Sequence, residues 1–229
     1  MTKLSPPTVE LLTRDALFSS LDDDGMERLL AGSYEVEVPR GTILRRRGEK
    51  CPAVYVVIRG RIKLSLETHT GEEKVIGLLG PRARFGDALT YSGEPSLGTI
   101  EALIDSMVAA IPRDTLLHEI DTNPRFARYV IEYLSRRVYQ RTRDIESYTL
   151  RTGTERLIDY LLSEEPEQVI NGARHVIFSE RKGIIASRLN LTQEHFSRIL
   201  RDLAERKLIQ VDGAHVVIPN VERLHAVRG

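Results

Sequence analysis

A single cysteine, Cys51, stands in a chain of 229 residues. One thiol cannot close a disulfide within the chain, and it cannot supply the thiolates of an iron–sulfur cluster or a cysteine-rich zinc site, so both are excluded. Cys51 fits a strand edge in a reducing compartment. No apolar run approaches the roughly 20 residues of a membrane span, and the opening MTKLSPPTVE lacks the apolar core of a signal peptide. The expected location is the cytoplasm, with no membrane partner. Formal net charge is zero, 33 basic residues against 33 acidic ones, so no global basic field advertises nucleic acid and any anion-binding surface must be local. No nucleophile–base pairing, metal-ligand spacing or phosphate loop occurs, which leaves an enzyme without support. What is present, 41% hydrophobic and 29% charged residues, is the composition of a globular protein with length for about two domains.

The most informative stretch runs from Arg181 to Lys207, RKGIIASRLNLTQEHFSRILRDLAERK. Ile185, Leu189, Leu191, Phe196, Ile199, Leu200 and Leu203 make two helical faces whose phase breaks at Asn190-Leu191-Thr192, which predicts two helices about a tight turn. Ala186 is small enough for a close crossing. Asn190 tolerates the left-handed backbone of a short turn, and Thr192 suits the N-cap of the second helix. That helix turns Gln193, Glu194, Ser197 and Arg198 outward, and these are side chains that read base edges: Arg forks onto guanine, Glu accepts from cytosine. A first-turn Glu four residues before an Arg is also a common solvated ion pair, so the motif gains weight from its surroundings. Leu-Ile-Gln-Val, Asp212-Gly213 and His-Val-Val-Ile-Pro follow, a hairpin with an Asp-Gly turn. A helix-turn-helix followed by a hairpin is a winged helix. From 181 to 207 there are seven basic residues against three acidic ones, the local surplus that phosphate contacts need.

Upstream, residues 8 to 31 read as short amphipathic helices. From Ser33 to Ile111 the hydrophobic period changes to two, with glycines at 41, 48, 60, 71, 80, 86 and 93 between the runs. Many short strands with glycine turns predict a double-sheet β fold, a jelly roll, within a chain of α+β class. Asn123-Pro124 opens the longest helical stretch, lasting to about Thr152. Val130, Leu134, Val138, Arg141, Ile145 and Tyr148 recur on it at spacings of three and four, a seam expected to meet its own copy in a homodimer. Gly153 reads as a hinge. The expected division is therefore 1–123 for a sensing β-roll, 124–152 for a dimerisation helix and 153–229 for a DNA-binding winged helix.

In this order the chain resembles the CRP/FNR superfamily of bacterial transcription regulators. The residues carrying the resemblance are Gly41 to Gly48-Glu49, Tyr55 to Gly60, Gly71-Glu72, Phe85-Gly86-Asp87, the long helix and the winged helix. Glu194-His-Phe-Ser197-Arg198 is similar to the E-x-x-S-R recognition helix of the FNR-like branch, which implies palindromes of TTGAT-type half-sites. Thr192-Gln-Glu-His-Phe-Ser-Arg-Ile with Val211-Asp-Gly is similar to the DNR subgroup, regulators of dissimilatory nitrate respiration that respond to nitric oxide. The resemblance also implies allosteric control from a cyclic-nucleotide-binding-like roll, activation of transcription and RNA polymerase as a partner. Base contacts then fall to Gln193, Glu194, Ser197 and Arg198, with Thr192, Arg181, Lys182, Arg188 and Arg201 on the backbone.

The effector positions depart from the family pattern. Where cyclic-AMP-binding relatives carry Gly-Glu, a phosphate arginine and a Thr-Ser pair, this chain carries Gly86-Asp87 after Phe85, then Leu97, then Arg141-Thr142. A phosphate without its arginine loses a charge-assisted partner, which argues against cyclic AMP. Haem asks only for an axial ligand and an apolar slot, so nitric oxide sensing through haem stays open. His118 is the candidate ligand, while His69 reads as solvated. A small organic or anionic ligand in the roll is the alternative effector, and a winged helix that docks a protein is the alternative to DNA.

Overall fold

The computed structural model describes residues 2–67, 71 and 73–228; His69 and Glu72 lie outside the described residues. The fold divides into two units, Met1–Tyr139 and Gln140–Gly229, with the division falling inside the longest helix.

The first unit begins with α1 (Pro6–Thr13) and α2 (Asp23–Gly32), the latter capped by Asp22, whose carboxylate accepts from the Gly25 amide at 2.9 Å. Strands β1 (Tyr34–Val38), β2 (Ile43–Arg45), β3 (Ala53–Arg59), β4 (Ile62–Glu67), β5 (Glu73–Leu79) and β6 (Arg84–Phe85) follow, then the short α3 (Asp87–Ser92), β7 (Thr99–Ala102) and β8 (Ser106–Pro112). The strands form two antiparallel four-stranded sheets, ordered β1-β8-β3-β6 and β2-β7-β4-β5. This is the double-sheet roll expected from the period-two pattern.

β3 explains how the roll is held. Its run Ala53-Val-Tyr-Val-Val is buried without a break because both faces are covered. Ala53, Tyr55 and Val57 point between the sheets, toward Ile62, Ile100 and Ala102, whereas Val54 and Val56 point to a second core with Leu12, Phe18, Leu29, Leu116 and Phe126 of the flanking helices. Each buried valine, leucine, isoleucine or phenylalanine among these contributes roughly 1.5–3 kcal/mol by leaving water.

After β8 the chain enters α4 (Arg113–Thr122), a helix the sequence pattern did not separate, and then α5 (Pro124–Leu150). The seam drawn from spacing requires a correction here. Val130 is only 5% exposed and packs with Phe126 into the second core, and Leu134 packs against the same core. Both are held by their own roll. Exposed apolar positions on α5 include Ile131, Val138 and Ile145, at 65, 67 and 62%, a seven-residue repeat that keeps Val138 and Ile145 of the expected seam and puts Ile131 in place of Val130.

The second unit opens with α6 (Gly153–Ser163). Thr152 and Glu155 form a capping box, each side chain bonding the other's backbone N–H,. Gly153 corrects the hinge reading: a Cβ there would lie 2.8 Å from Leu191 Cδ2 and 3.1 Å from Ile199 Cδ1. Glycine permits close packing at this point. β9 (Gln168–Ile170), β10 (Ala173–Ile177), α7 (Lys182–Arg188), α8 (Gln193–Glu205), β11 (Gln210–Asp212), β12 (His215–Ile218) and α9 (Val221–His225) complete the unit, with sheet order β11-β12-β10-β9. Asn171 and Gly172 both have positive φ, as a two-residue type I′ hairpin demands, and this turn joins β9 to β10,. At the other hairpin Asp212 pairs with His215, so the loop is Gly213-Ala214, one residue later than the Asp-Gly reading. Gly213 alone has positive φ, which fits a type II′ turn,.

Candidate nucleic-acid interface

α7 and α8 meet at a turn whose every residue has a local reason. Asn190 takes φ +57°, and the Leu191 amide bonds back to the Ala186 carbonyl at 2.9 Å. Thr192 caps α8 by accepting from the His195 amide at 3.1 Å. Ala186, buried at 1%, allows the close crossing. Arg156, which no local pattern singles out, fixes this turn from α6: its Nε donates to the Leu189 carbonyl at 2.8 Å, its Nη1 to the Arg151 carbonyl at 2.6 Å and its Nη2 to the Asn190 carbonyl at 3.3 Å. One guanidinium thereby satisfies carbonyls that the end of α7 leaves open.

α8 is amphipathic along its length. Phe196, Ile199, Leu200 and Leu203, at spacings of three and four, are buried at 0 to 5% in the core of the unit. Phe196 and Phe178 have ring centroids 6.0 Å apart in a tilted pair,. The opposite face carries Gln193, Glu194, Ser197, Arg198 and Arg201, all exposed. No described ion pair or hydrogen bond occupies the Glu194 or Arg198 side chain, so the i,i+4 pairing that would have explained them as a surface bridge is not formed. Arg181, the N-cap of α7, is exposed and Lys182 is half-buried. Lys182, Ser197 and Arg201 line a cleft of about 190 Å³ whose floor is Leu200, Ala204 and Val211. A basic rim beside a face of base-reading side chains is suited to a phosphate backbone and the groove next to it. Arg188 is half-buried, and its carbonyl accepts from the Tyr148 hydroxyl at 3.1 Å. Tyr148, assigned from spacing to the dimer seam, is therefore engaged within its own unit.

The positions matched to a cyclic nucleotide are otherwise committed. Phe85 is buried at 1% and stacks on Tyr55, with centroids 5.0 Å apart and planes at 15°. Gly86 adopts φ +82° where a Cβ would sit 2.8 Å from Cys51 Sγ and 3.0 Å from the Ala53 carbonyl. Asp87, 4% exposed, turns toward α5, where its Oδ2 accepts from the Tyr133 hydroxyl at 2.6 Å and from Arg137 Nη1 at 3.1 Å. Burial and the nearby Asp87 charge raise the Tyr133 phenol above its ordinary value. Burial opposes the charge of Arg137, yet Asp87 holds that guanidinium more firmly protonated than usual. The Arg84 guanidinium stacks 4.2 Å from the Tyr133 ring centroid and pairs with Asp15. The carboxylate expected to face a ligand is instead part of the bolt between α3 and α5. Leu97 is 75% exposed. Arg141 pairs with Asp144 on its own helix at 2.9 Å and, like Thr142, belongs to the second unit. His118 is exposed on α4 and offers no buried imidazole to a haem.

Comparison with known proteins matches residues 35–123 to the cyclic nucleotide-binding domain and residues 155–227 to the Crp-like helix-turn-helix domain. Among curated relatives, the CRP-like cAMP-activated global transcriptional regulator of Mycobacterium tuberculosis is 23% identical over 229 residues, covering 94% of this chain and 97% of its own. The fumarate and nitrate reduction regulatory protein of Yersinia pestis is 28% identical over 196 residues, covering 84% and 77%. Among solved structures, FixK2 of Bradyrhizobium japonicum superposes with TM-score 0.74 at 21% identity over 86% of this chain and 98% of its own. DNR of Pseudomonas aeruginosa is 29% identical with TM-score 0.52, covering 95% and 96%. No helix among the described residues is long and apolar enough to cross a membrane.

Proposed function

Because the chain belongs to the CRP/FNR family of transcription regulators, a cyclic nucleotide-binding domain followed by a Crp-like helix-turn-helix, we propose that it acts as a homodimer that binds palindromes of TTGAT-type half-sites. Residues 1–123 sense the effector, 124–152 pair with a second copy, and 153–229 bind DNA. The observation that carries this reading is α8, with one face buried in its domain and the other presenting Glu194, Ser197 and Arg198 unengaged. Arg198 forks onto guanine, Glu194 accepts from cytosine, and Gln193 and Ser197 reach neighbouring edges. Arg181, Lys182, Arg188, Arg201 and the first turn at Thr192 hold the backbone. RNA polymerase is the partner that turns binding into activation.

On α5 the seam that meets the second copy is Ile131, Val138 and Ile145. Control is a coupling free energy: the effector binds better to the form whose two recognition helices are spaced one duplex turn, roughly 34 Å, apart. That effector is a small organic or anionic molecule and not cyclic AMP, given an engaged Asp87 and an exposed Leu97. Nitric oxide sensed through haem is the lesser reading, weakened by the exposure of His118; a flat visible spectrum after purification with haem supplied is the expected result. The test of the main reading is a gel shift on a TTGAT-type palindrome against a scrambled duplex. A retarded band with the palindrome alone is expected, and equal retardation of both would overturn sequence-specific binding.

A further inference from the structure

Inside the roll, β2 carries a bulge against β7: Ile43 pairs with Glu101, but Arg45 pairs with Ile100, so both Leu44 and Arg45 oppose one residue,. Directly paired residues of an antiparallel ladder share a face. Ile100 is 4% exposed in the core between the sheets, and Leu44 packs on the same core. Unbroken alternation would send Arg45 outward after an inward Leu44. The bulge turns it inward as well.

There the guanidinium is held but not neutralised. Its Nη1 donates to the Leu44 carbonyl at 2.6 Å and its Nη2 to the Tyr55 hydroxyl at 2.6 Å, with the guanidinium carbon 5.7 Å from the Tyr55 ring centroid. Nε is buried and has no acceptor. Among the described residues no carboxylate pairs with Arg45. A guanidinium carries five donors and keeps its charge, and a buried donor without an acceptor is costly to leave so. Tyr55 is fixed by its stack on Phe85, and burial pushes its phenol up to about 12. Its proton is thus retained, and the hydroxyl that accepts from Arg45 still has that proton to donate.

We propose that Arg45 Nε and the Tyr55 hydroxyl form an anion subsite for the effector, taking an oxyanion, carboxylate or phosphate, of a small molecule bound between the sheets. This rests on the roll being the sensing domain. It moves the ligand's counter-charge from the loop position of Leu97, exposed to solvent, to the opposite strand.

The test is a titration of the full-length protein with inorganic phosphate, benzoate and the uncharged analogue benzamide, read from the Arg45 Nε–H resonance by NMR. Saturable displacement of that resonance by benzoate or phosphate, with benzamide silent, is expected, and whichever anion is effective identifies carboxylate or phosphate as the chemistry. Arg45→Met should weaken the effective anion at least about tenfold, the loss of one charge-assisted contact. Arg45→Lys, which keeps the charge, should recover part of it; Tyr55→Phe, which keeps the stack on Phe85, should weaken binding less. No displacement by either anion, or equal binding by calorimetry in a folded Arg45→Met variant, would overturn the subsite. Failure here leaves palindrome binding in the gel shift untouched, whereas loss of palindrome specificity with an intact Arg45-dependent titration would overturn the DNA reading instead.

Discussion

The outward face of α8 and the interior of the roll present their polar residues in opposite ways. On α8 the periodicity of 3.6 residues sorts the side chains: Phe196, Ile199, Leu200 and Leu203 go in, and whatever lies between them must go out,. In the roll, direction depends on register, and a single extra residue in β2 reverses it for Arg45. A helix therefore declares its functional face locally, while a sheet declares it only once its partners are known.

That contrast can be broken most forcefully in the α8 core. Phe196→Ala removes a ring at 0% exposure and should cost roughly 3–5 kcal/mol,, whereas Ser197→Ala, one residue on, should stay within about 0.5 kcal/mol. Chemical denaturation of the two variants checks it, and comparable losses would mean that α8 is not sorted as described. Next in size is the bolt between α3 and α5. Asp87→Ala leaves Arg137 and the Tyr133 hydroxyl without their carboxylate and should destabilise the first unit by roughly 3 kcal/mol,. If Asp87 faced a ligand instead, as in a cyclic nucleotide pocket, the empty protein would lose little.

Alkaline titration sharpens the picture inside the roll. The folded-state pKa of Tyr55 is raised, so the stability linked to its neutral phenol is full below about pH 10 and is lost as pH rises toward 12. The loss should approach 2–3 kcal/mol, about 1.4 kcal/mol for each pKa unit. Tyr55→Phe should reduce the alkaline slope by that share, as followed by urea unfolding at several pH values, while Tyr91 and Tyr133, whose phenols are also raised by burial, keep theirs. The smallest effect belongs to the turn before α8: Thr192→Ala removes the hydroxyl that caps the His195 amide and should cost about 1 kcal/mol,, measurable as a shifted urea midpoint, with Thr192→Asn restoring it.

How much the sequence conveys follows from the same contrast. The helix pair, its Asn190 turn, the Thr192 cap and the outward Glu194, Ser197 and Arg198 all follow from spacing and local chemistry, and so does the double-sheet character of the roll. The first part of the seam on α5 did not, because Val130 and Leu134 lead into Val138 and Ile145 at spacings of three and four as plausibly as Ile131 does. Only packing against Phe126 and the roll decides which stripe is covered. Gly153 suggested a hinge because glycine's two uses, freedom and closeness, look alike until Leu191 and Ile199 are seen beside it. β9 escaped notice because three exposed residues, Gln168–Ile170, carry no alternation. Arg156 and Arg45 have no local signature: each acts through acceptors far away in the chain.

The most direct measurement is the ratio of affinities for a TTGAT-type palindrome and a scrambled duplex, taken by fluorescence anisotropy over a range of salt for the native chain, Arg198→Ala and Lys182→Ala. A base-reading Arg198 and a backbone-holding Lys182 predict that Arg198→Ala collapses the ratio, with about 1–3 kcal/mol of discrimination lost per half-site, while Lys182→Ala weakens both duplexes alike and flattens the salt slope. A ratio that survives Arg198→Ala, or two variants that lose the same quantities, would contradict the assignment of α8 as the reader of sequence.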